Sequence, residues 1–150
     1  MKNFKFIDLC AGIGGFRQAF EKEGQCNLTC EIDKFAIQSY SANYQEDNWA
    51  NDITKIVPNE LEAFDLLCAG FPCQAFSLAG KQEGFKDGKG RGNIFFNITD
   101  IAKENRPKVL FLENVKNLRS HDKGKTFKVI CKEIDDIEYY HKDFLFNAQY

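Results

Sequence analysis

The stretch that decides the fold is residues 5–20, KFIDLCAGIGGFRQAF. Residues 5–10 predict a short β-strand, and the glycines at positions 12, 14 and 15 predict a tight turn. Phe16, Ala19 and Phe20 recur at the spacing of an amphipathic helix. A strand, a glycine-rich turn and a helix in this order are typical of the first unit of an open α/β sheet. Missing side chains at the turn would let a ligand approach the backbone and the helix N-terminus.

The same alternation continues along the chain. Helices are predicted from an N-cap at Asp33 to about Asn43, from Ile94 to before Pro107, and over the apolar positions from Phe127 to Ile137. Further strands are predicted at residues 27–31, near Trp49, at 65–69, at 109–113 and at 139–146. This order predicts a Rossmann-like, mostly parallel sheet with helices on both faces. Residues 70–92 form a glycine- and lysine-rich segment that is too long for a plain connector, which favours a functional loop.

Composition excludes several classes of protein. The chain has 150 residues, which suits one domain. Because 43% of the residues are hydrophobic and 28% are charged, the composition excludes a disordered or fibrous protein. No apolar run approaches the roughly 18 residues of a membrane span, and we expect a cytoplasmic protein without a signal peptide or membrane partner. The net charge of −2 does not indicate a non-specific nucleic-acid binder.

Six cysteines and two histidines raise the question of disulfides and metals. Without an export signal, reduced thiols are expected. Cys26 and Cys30 are four residues apart and Cys68 and Cys73 are five apart, spacings that do not suit zinc. We predict no metal site.

In open parallel sheets a ligand binds beyond the carboxyl ends of the strands, so the residues that follow each strand are the candidates. Glu31 lies nineteen residues after Gly12, the distance expected of a carboxylate that binds a ribose hydroxyl, which indicates a nucleoside-bearing cofactor. Cys73 follows the fourth strand and is a candidate nucleophile, and Glu113 ends the fifth. The alternatives are a plain tight turn, a buried cysteine that acts as a small hydrophobe, and an ordinary charged strand end.

Several stretches resemble one family, the cytosine-C5 DNA methyltransferases of bacterial restriction-modification systems. They are FIDLCAGIGGF, AGFPCQAFSLAGKQEGF, RGNIFF, FLENVKNL, HDKGKTF and FNAQY. The resemblance implies an adenosylmethionine-dependent methyltransferase fold and methyl transfer to C5 of a cytosine that is flipped out of the duplex. It implies that Cys73 attacks C6 of the ring while Glu113 holds and protonates N3.

The resemblance also implies the binding residues. S-adenosyl-L-methionine would lie against Ala11, Gly12, Ile13, Gly14, Gly15, Glu31, Ile32, Asp52, Ile53, Gly70, Pro72 and Ile94. The DNA substrate would contact Gln74, Ser77, Lys81, Arg91, Asn114 and Val115.

The sequence departs from the family pattern in three places. Cys10 and Ile32 stand where the family has aromatic residues near the adenine, and residues 87–92 form a longer stretch than their counterparts. The target-recognition domain has no counterpart in residues 1–150. We therefore expect a partial catalytic domain with an incomplete sheet edge, completed by a second polypeptide or a C-terminal segment.

Three other functions stay open at this point. The same motifs serve RNA cytosine-C5 methyltransferases, and a non-catalytic adenosylmethionine-binding or regulatory remnant would retain the glycine turn. A nicotinamide-dependent oxidoreductase would explain the turn but leaves Cys73 and Glu113 without a role.

Overall fold

The computed structural model describes residues 3–45, 48–72 and 94–146. The chain divides into two compact units, Met1–Glu113 and Asn114–Tyr150. Within the described residues, no helix is long and apolar enough to cross a membrane.

The first unit is built on a parallel five-stranded sheet. Its strands are β1 (Phe4–Leu9), β2 (Gly24–Cys30), β3 (Trp49–Ala50), β4 (Leu66–Gly70) and β5 (Val109–Glu113), in the spatial order β3-β2-β1-β4-β5. Between them along the chain lie the helices α1 (Gly15–Phe20), α2 (Lys34–Asn43) and α3 (Ile94–Asn105) and two short 3₁₀ turns (Ile53–Lys55 and Pro58–Glu60). The described strand pairs are all parallel, which confirms the predicted α/β sheet.

Both faces of the centre of the sheet are buried. Residues 6–9 of β1 and 66–69 of β4 are buried without interruption, although successive side chains of a strand point to opposite faces. On one face the ring of Phe20 in α1 lies 6.0 Å from the rings of Phe6 and Phe111. Uninterrupted burial is typical of a parallel sheet that is covered on both sides.

Local contacts explain where the strand ends differ from the prediction. β1 stops at Leu9 because Cys10 adopts a left-handed conformation, with φ at 55°. β2 begins at Gly24, earlier than predicted, where a Cβ atom would lie 2.5 Å from the ring of Phe4. Asp65 lies just before β4, and its carboxylate accepts hydrogen bonds from the Lys5 N–H at 3.0 Å and from Lys108 Nζ at 2.7 Å.

The second unit contains two 3₁₀ turns, Lys116–Arg119 and His121–Gly124, followed by α4 (Lys125–Asp136). The helix buries Thr126, Ile130 and Ile134 on one face. The prediction of this helix rests on the apolar positions from Phe127 to Ile137, and the structure confirms a helix there that begins two residues earlier and ends at Asp136.

The predicted strand at residues 139–146 is wrong. After α4, Glu138 adopts a left-handed conformation with φ at 63°, and the Tyr139 N–H donates to the carbonyl of Ile134. The following residues have no regular secondary structure, and Tyr140 and Phe146 are 93% and 82% exposed. A strand needs a neighbouring strand for its backbone groups, and the described residues provide none there.

Candidate active site

The glycine turn lies between β1 and α1. It bends through left-handed conformations at Cys10, Gly12 and Gly14, and the Ala11 N–H donates to the carbonyl of Cys30 at 3.0 Å. A Cβ atom added at Gly12 or at Gly15 would meet nothing within 4 Å. The turn therefore presents bare backbone to open space at two of its three glycines.

Gly14 is constrained differently, by packing. A Cβ atom at this position would lie 2.5 Å from the ring of Tyr44 and 3.1 Å from the ring of Tyr40. Neither tyrosine is among the predicted site residues. Tyr40 lies in α2 and Tyr44 directly follows it, four positions apart, a spacing that brings side chains to one side of a helix. Their rings hold the turn in place from the side of α2.

Glu31 connects the end of β2 to the glycine turn. Its Oε2 accepts a hydrogen bond from the Gly12 N–H at 2.8 Å, and its Oε1 accepts from the N–H groups of Ile32 and Asp33, each at 2.8 Å. A carboxylate offers about four lone-pair positions, so these three bonds leave one for another donor. Glu31 and Gly12, which the sequence analysis associates by their spacing of nineteen residues, are therefore in direct contact.

Two apolar residues next in sequence to these hydrogen-bonded residues are exposed. Ile13 of the turn and Ile32 after β2 are 68% and 73% exposed. Large apolar side chains this exposed at the carboxyl end of a parallel sheet offer an apolar surface to a ligand.

Asp52 and Ile53, predicted together, take different positions. The carboxylate of Asp52 accepts hydrogen bonds from the N–H and the hydroxyl of Thr54 at 3.0 and 2.7 Å. These bonds, with a smaller contribution from Lys55, lower the pKa of Asp52, so this carboxylate is ionised at neutral pH. Ile53 is buried.

The ends of β4 and β5 meet at Gly70 and Glu113. The two residues are paired in the sheet register, and a Cβ atom on Gly70 would lie 3.5 Å from Oε2 of Glu113 and 3.8 Å from the carbonyl oxygen of Cys10. Gly70 therefore lies between the carboxylate of β5 and the start of the glycine turn. The structure brings these three predicted regions of the site together.

The remaining predicted residues belong to three parts of the chain. Pro72 follows Phe71, whose ring lies 5.2 Å from that of Phe95, and Ile94 begins α3. In the second unit the Val115 N–H donates to Oδ1 of Asn114 at 2.9 Å. Five predicted residues lie outside the described residues: Cys73, Gln74, Ser77, Lys81 and Arg91.

Three thiols of the first unit are held in the protonated form. Burial, reinforced by the carboxylates of Glu31 and Asp8, raises the pKa of Cys10 to about 12. Burial also raises the pKa of Cys30 to about 12 and the pKa of Cys68 further. Because the thiolate is the reactive form, none of these three is a nucleophile at neutral pH.

Comparison with known proteins identifies the family. A family model described as C-5 cytosine-specific DNA methylase matches residues 4–150. The Type II methyltransferase M1.ScrFI of Lactococcus lactis subsp. cremoris is 49% identical over 148 residues, 97% of this chain and 37% of that protein. M.HhaI of Haemophilus parahaemolyticus is 46% identical over 140 residues, 93% of this chain and 42% of that protein.

Solved structures agree on the fold. The structure of the S. pombe Dnmt2 methyltransferase has a TM-score of 0.69 at 20% identity and covers 89% of this chain and 42% of that one. A mutant of Spodoptera frugiperda DNMT2 has a TM-score of 0.61 at 25% identity, over 86% of this chain and 40% of that one. The chain spans 37% of the length of M1.ScrFI and 42% of the length of M.HhaI. Since the family model matches from β1 to the last residue, the chain belongs to the C-5 cytosine-specific DNA methylase family.

Proposed function

We propose that this chain carries the catalytic part of an enzyme that transfers a methyl group from S-adenosyl-L-methionine to C5 of cytosine in DNA. The observation that carries the proposal is the position of Glu113. Its carboxylate lies next to Gly70, and Gly70 also lies close to the start of the glycine turn that Glu31 holds. This reaction needs a carboxyl group, a thiol and a nucleoside site, and the sequence puts the thiol of Cys73 three residues after Gly70.

The described residues fit adenosylmethionine. The open space at Gly12 and Gly15 accommodates a ligand against the backbone, and the exposed side chains of Ile13 and Ile32 offer apolar contact to an adenine. The unused lone-pair position of Glu31 suits a ribose hydroxyl. When bound, adenosylmethionine supplies an electrophilic methyl group.

The protein's own residues would prepare the cytosine. The Cys73 thiolate adds to C6, and Glu113 donates a proton to N3, so that electron density at C5 becomes available for the methyl group. Loss of the C5 proton to a base then expels the thiolate. The protonated state of Cys10, Cys30 and Cys68 supports the assignment of the nucleophile to a cysteine outside this group.

A base inside a duplex is out of reach for this chemistry, so the target cytosine would be flipped out of the helix. We propose Gln74, Ser77, Lys81 and Arg91, together with Asn114 and Val115, as the residues that contact the DNA. Choice of the DNA sequence would depend on a further segment or a second polypeptide, because the chain covers 37% of M1.ScrFI. RNA as the substrate is less supported, since the matching family model is one of DNA methylases.

Covalent trapping tests this proposal. The chain is incubated with adenosylmethionine and duplex DNA that contains 5-fluorocytosine, whose fluorine blocks the elimination step, and the intact mass is measured. We expect an adduct with the unchanged chain and none with Cys73→Ser. The matched control Cys131→Ser, which changes a thiol of the second unit, should leave the adduct intact.

The variant Glu113→Gln tests the proposed role of Glu113 as the proton donor to N3. It keeps the size of the side chain but removes the proton donor, so adduct formation should slow by about 10² to 10⁴-fold. A folded chain that binds adenosylmethionine but forms no adduct would instead indicate the non-catalytic remnant. An adduct that forms with an RNA hairpin and not with duplex DNA would replace the substrate assignment.

A further inference from the structure

Charges in the second unit are separated along the chain. Residues 114–128 contain five Lys or Arg residues and one Asp, a net charge of +4. Residues 129–146 contain two Lys residues and five Asp or Glu residues, a net charge of −3. The net charge of the whole chain, −2, does not reveal this separation.

The separation runs against the electrostatics of α4. A helix has a partial positive charge at its N-terminus and a partial negative charge at its C-terminus, so acidic residues stabilise the first turn and basic residues the last. In α4 the first turn carries Lys125 and Lys128 without an acidic residue, and the last turn carries Glu133, Asp135 and Asp136 without a basic one. At both ends of α4, the side-chain charges therefore have the same sign as the partial charge of the helix, which is unfavourable.

Contacts offset this arrangement at one end only. At the C-terminal end Lys132 pairs with Asp136, and Nδ1 of His141 lies 3.1 Å from Oδ1 of Asp135. No ion pair among the described residues offsets the lysines at the N-terminal end. The N-cap Gly124 provides no side-chain hydrogen bond, and Asp122 and Lys123 before it adopt left-handed conformations with φ at 46° and 55°. Such conformations cost free energy in residues other than glycine. A segment that breaks several local rules together is expected where function requires it.

The lysines concerned are available to a partner. Lys116, Lys123, Lys125 and Lys128 are exposed, and none forms an ion pair with a carboxylate in the part of the chain that the structure describes. Arg119 differs, because it pairs with Asp143. We call the four lysines the basic patch.

We infer that the basic patch binds backbone phosphates of the DNA substrate. The inference rests on the proposed function, since it concerns the same DNA. An exposed ammonium group attracts phosphate as a point charge without reading the bases. Four exposed lysines within thirteen residues concentrate positive charge on one segment of a chain whose net charge is negative, which favours contact with a polyanion. The patch also begins three residues after Glu113 in the sequence.

The salt dependence of DNA binding tests the inference. Each phosphate contact contributes about 0.9 to the slope of log affinity against log salt concentration, because it releases a counterion. Fluorescence anisotropy with a labelled duplex gives this slope for the unchanged chain and for a triple variant, Lys123→Gln, Lys125→Gln and Lys128→Gln. We expect the variant slope to be smaller by about 2 to 3. A matched control, Lys22→Gln, Lys34→Gln and Lys103→Gln, removes the same charge from exposed positions of the first unit and should keep the original slope.

The outcomes separate this inference from the proposed function. An unchanged slope in the patch variant, an equal loss in the control, or no salt-dependent binding by the unchanged chain would overturn the role of the basic patch. A larger loss on an RNA hairpin than on duplex DNA would overturn the choice of partner. The 5-fluorocytosine adduct is measured in parallel. Its absence from the unchanged chain, with the slope difference intact, would refute the catalytic proposal alone.

Discussion

Helices α2 and α4 have similar lengths and begin in opposite ways. α2 follows Asp33, whose carboxylate accepts hydrogen bonds from the N–H groups of Phe35 and Ala36 at 2.9 and 2.8 Å. α4 follows a glycine and carries lysines in its first turn and acidic residues in its last. The first arrangement satisfies free N–H groups of the helix and the second opposes the helix dipole.

The difference separates residues that support the fold from residues that are available for binding. The end of β2 and the start of α2 form one connected network, since Glu31 accepts from the N–H of Asp33, which itself caps the helix. The network fixes the glycine turn. At the start of α4, Nδ1 of His121 lies 2.6 Å from the hydroxyl of Thr126, but no side chain of the N-cap accepts from the helix N–H groups, and the lysines remain exposed.

The largest effect is expected where α2 packs on the turn. Gly14→Ala adds a Cβ atom 2.5 Å from the ring of Tyr44 at a position with φ of 95°, so clash and backbone strain together should lower the free energy of unfolding by about 2 to 4 kcal/mol. Urea denaturation measures the change. Gly15→Ala, with nothing within 4 Å and an ordinary φ, is the control and should be near neutral. Equal losses would show that Tyr44 does not constrain the turn.

The next effect concerns Glu31. Glu31→Ala leaves the N–H groups of Gly12, Ile32 and Asp33 without their acceptor and should cost about 1 to 3 kcal/mol of stability, together with a loss of adenosylmethionine affinity measured by calorimetry. Glu62→Ala removes an exposed carboxylate that pairs with Lys5 and should cost less than about 1 kcal/mol. Retained cofactor affinity in Glu31→Ala would contradict the ribose assignment.

Removal of the α2 cap should have an intermediate effect. Asp33→Ala deprives two helix N–H groups of their acceptor, which costs about 1 kcal/mol. Thermal unfolding followed by circular dichroism measures the loss. The control Asp100→Ala, in the exposed part of α3, should change stability by less than about 0.5 kcal/mol. If the two variants lose the same stability, the cap is not what distinguishes α2 from α4.

The smallest effect has the opposite sign. Lys125→Gln removes an unfavourable charge from the start of α4 and should raise stability by about 0.3 to 1 kcal/mol at low salt. Lys103→Gln removes a favourable charge from the last turn of α3 and should lower stability by a similar amount. Both changes should shrink in about 1 M salt, where screening is strong. A loss of stability in Lys125→Gln would remove the electrostatic contrast between the helices.

Features set by short-range patterns were predictable from the sequence. Asp33 as the cap of α2, the end of α3 before Pro107 and the apolar strand β5 follow from local chemistry and are confirmed. The contact of Glu31 with the turn follows from its spacing to Gly12 within a strand-turn-helix unit. The position of Glu113 beside Gly70 follows from the adjacency of two parallel strands.

Features that depend on distant neighbours were not predictable. Residues 139–146 have the apolar content of a strand, but pairing requires a neighbour that the sequence of the segment does not specify. The start of β2 at Gly24 depends on the ring of Phe4, and the need for glycine at position 14 depends on Tyr44. The reversed charges of α4 are visible in the sequence, but their significance requires the ends of the helix.

The buried thiols of the sheet provide a built-in reporter of local unfolding. Cys30 in β2 and Cys68 in β4 are both buried, with pKa values raised well above neutrality, so an alkylating reagent reacts with them only after the strands separate. The rate at which these two cysteines become alkylated, followed by mass spectrometry, therefore measures how often the sheet opens. Because both thiols are native residues, the same labelling without any engineered cysteine can show whether a bound ligand slows that opening.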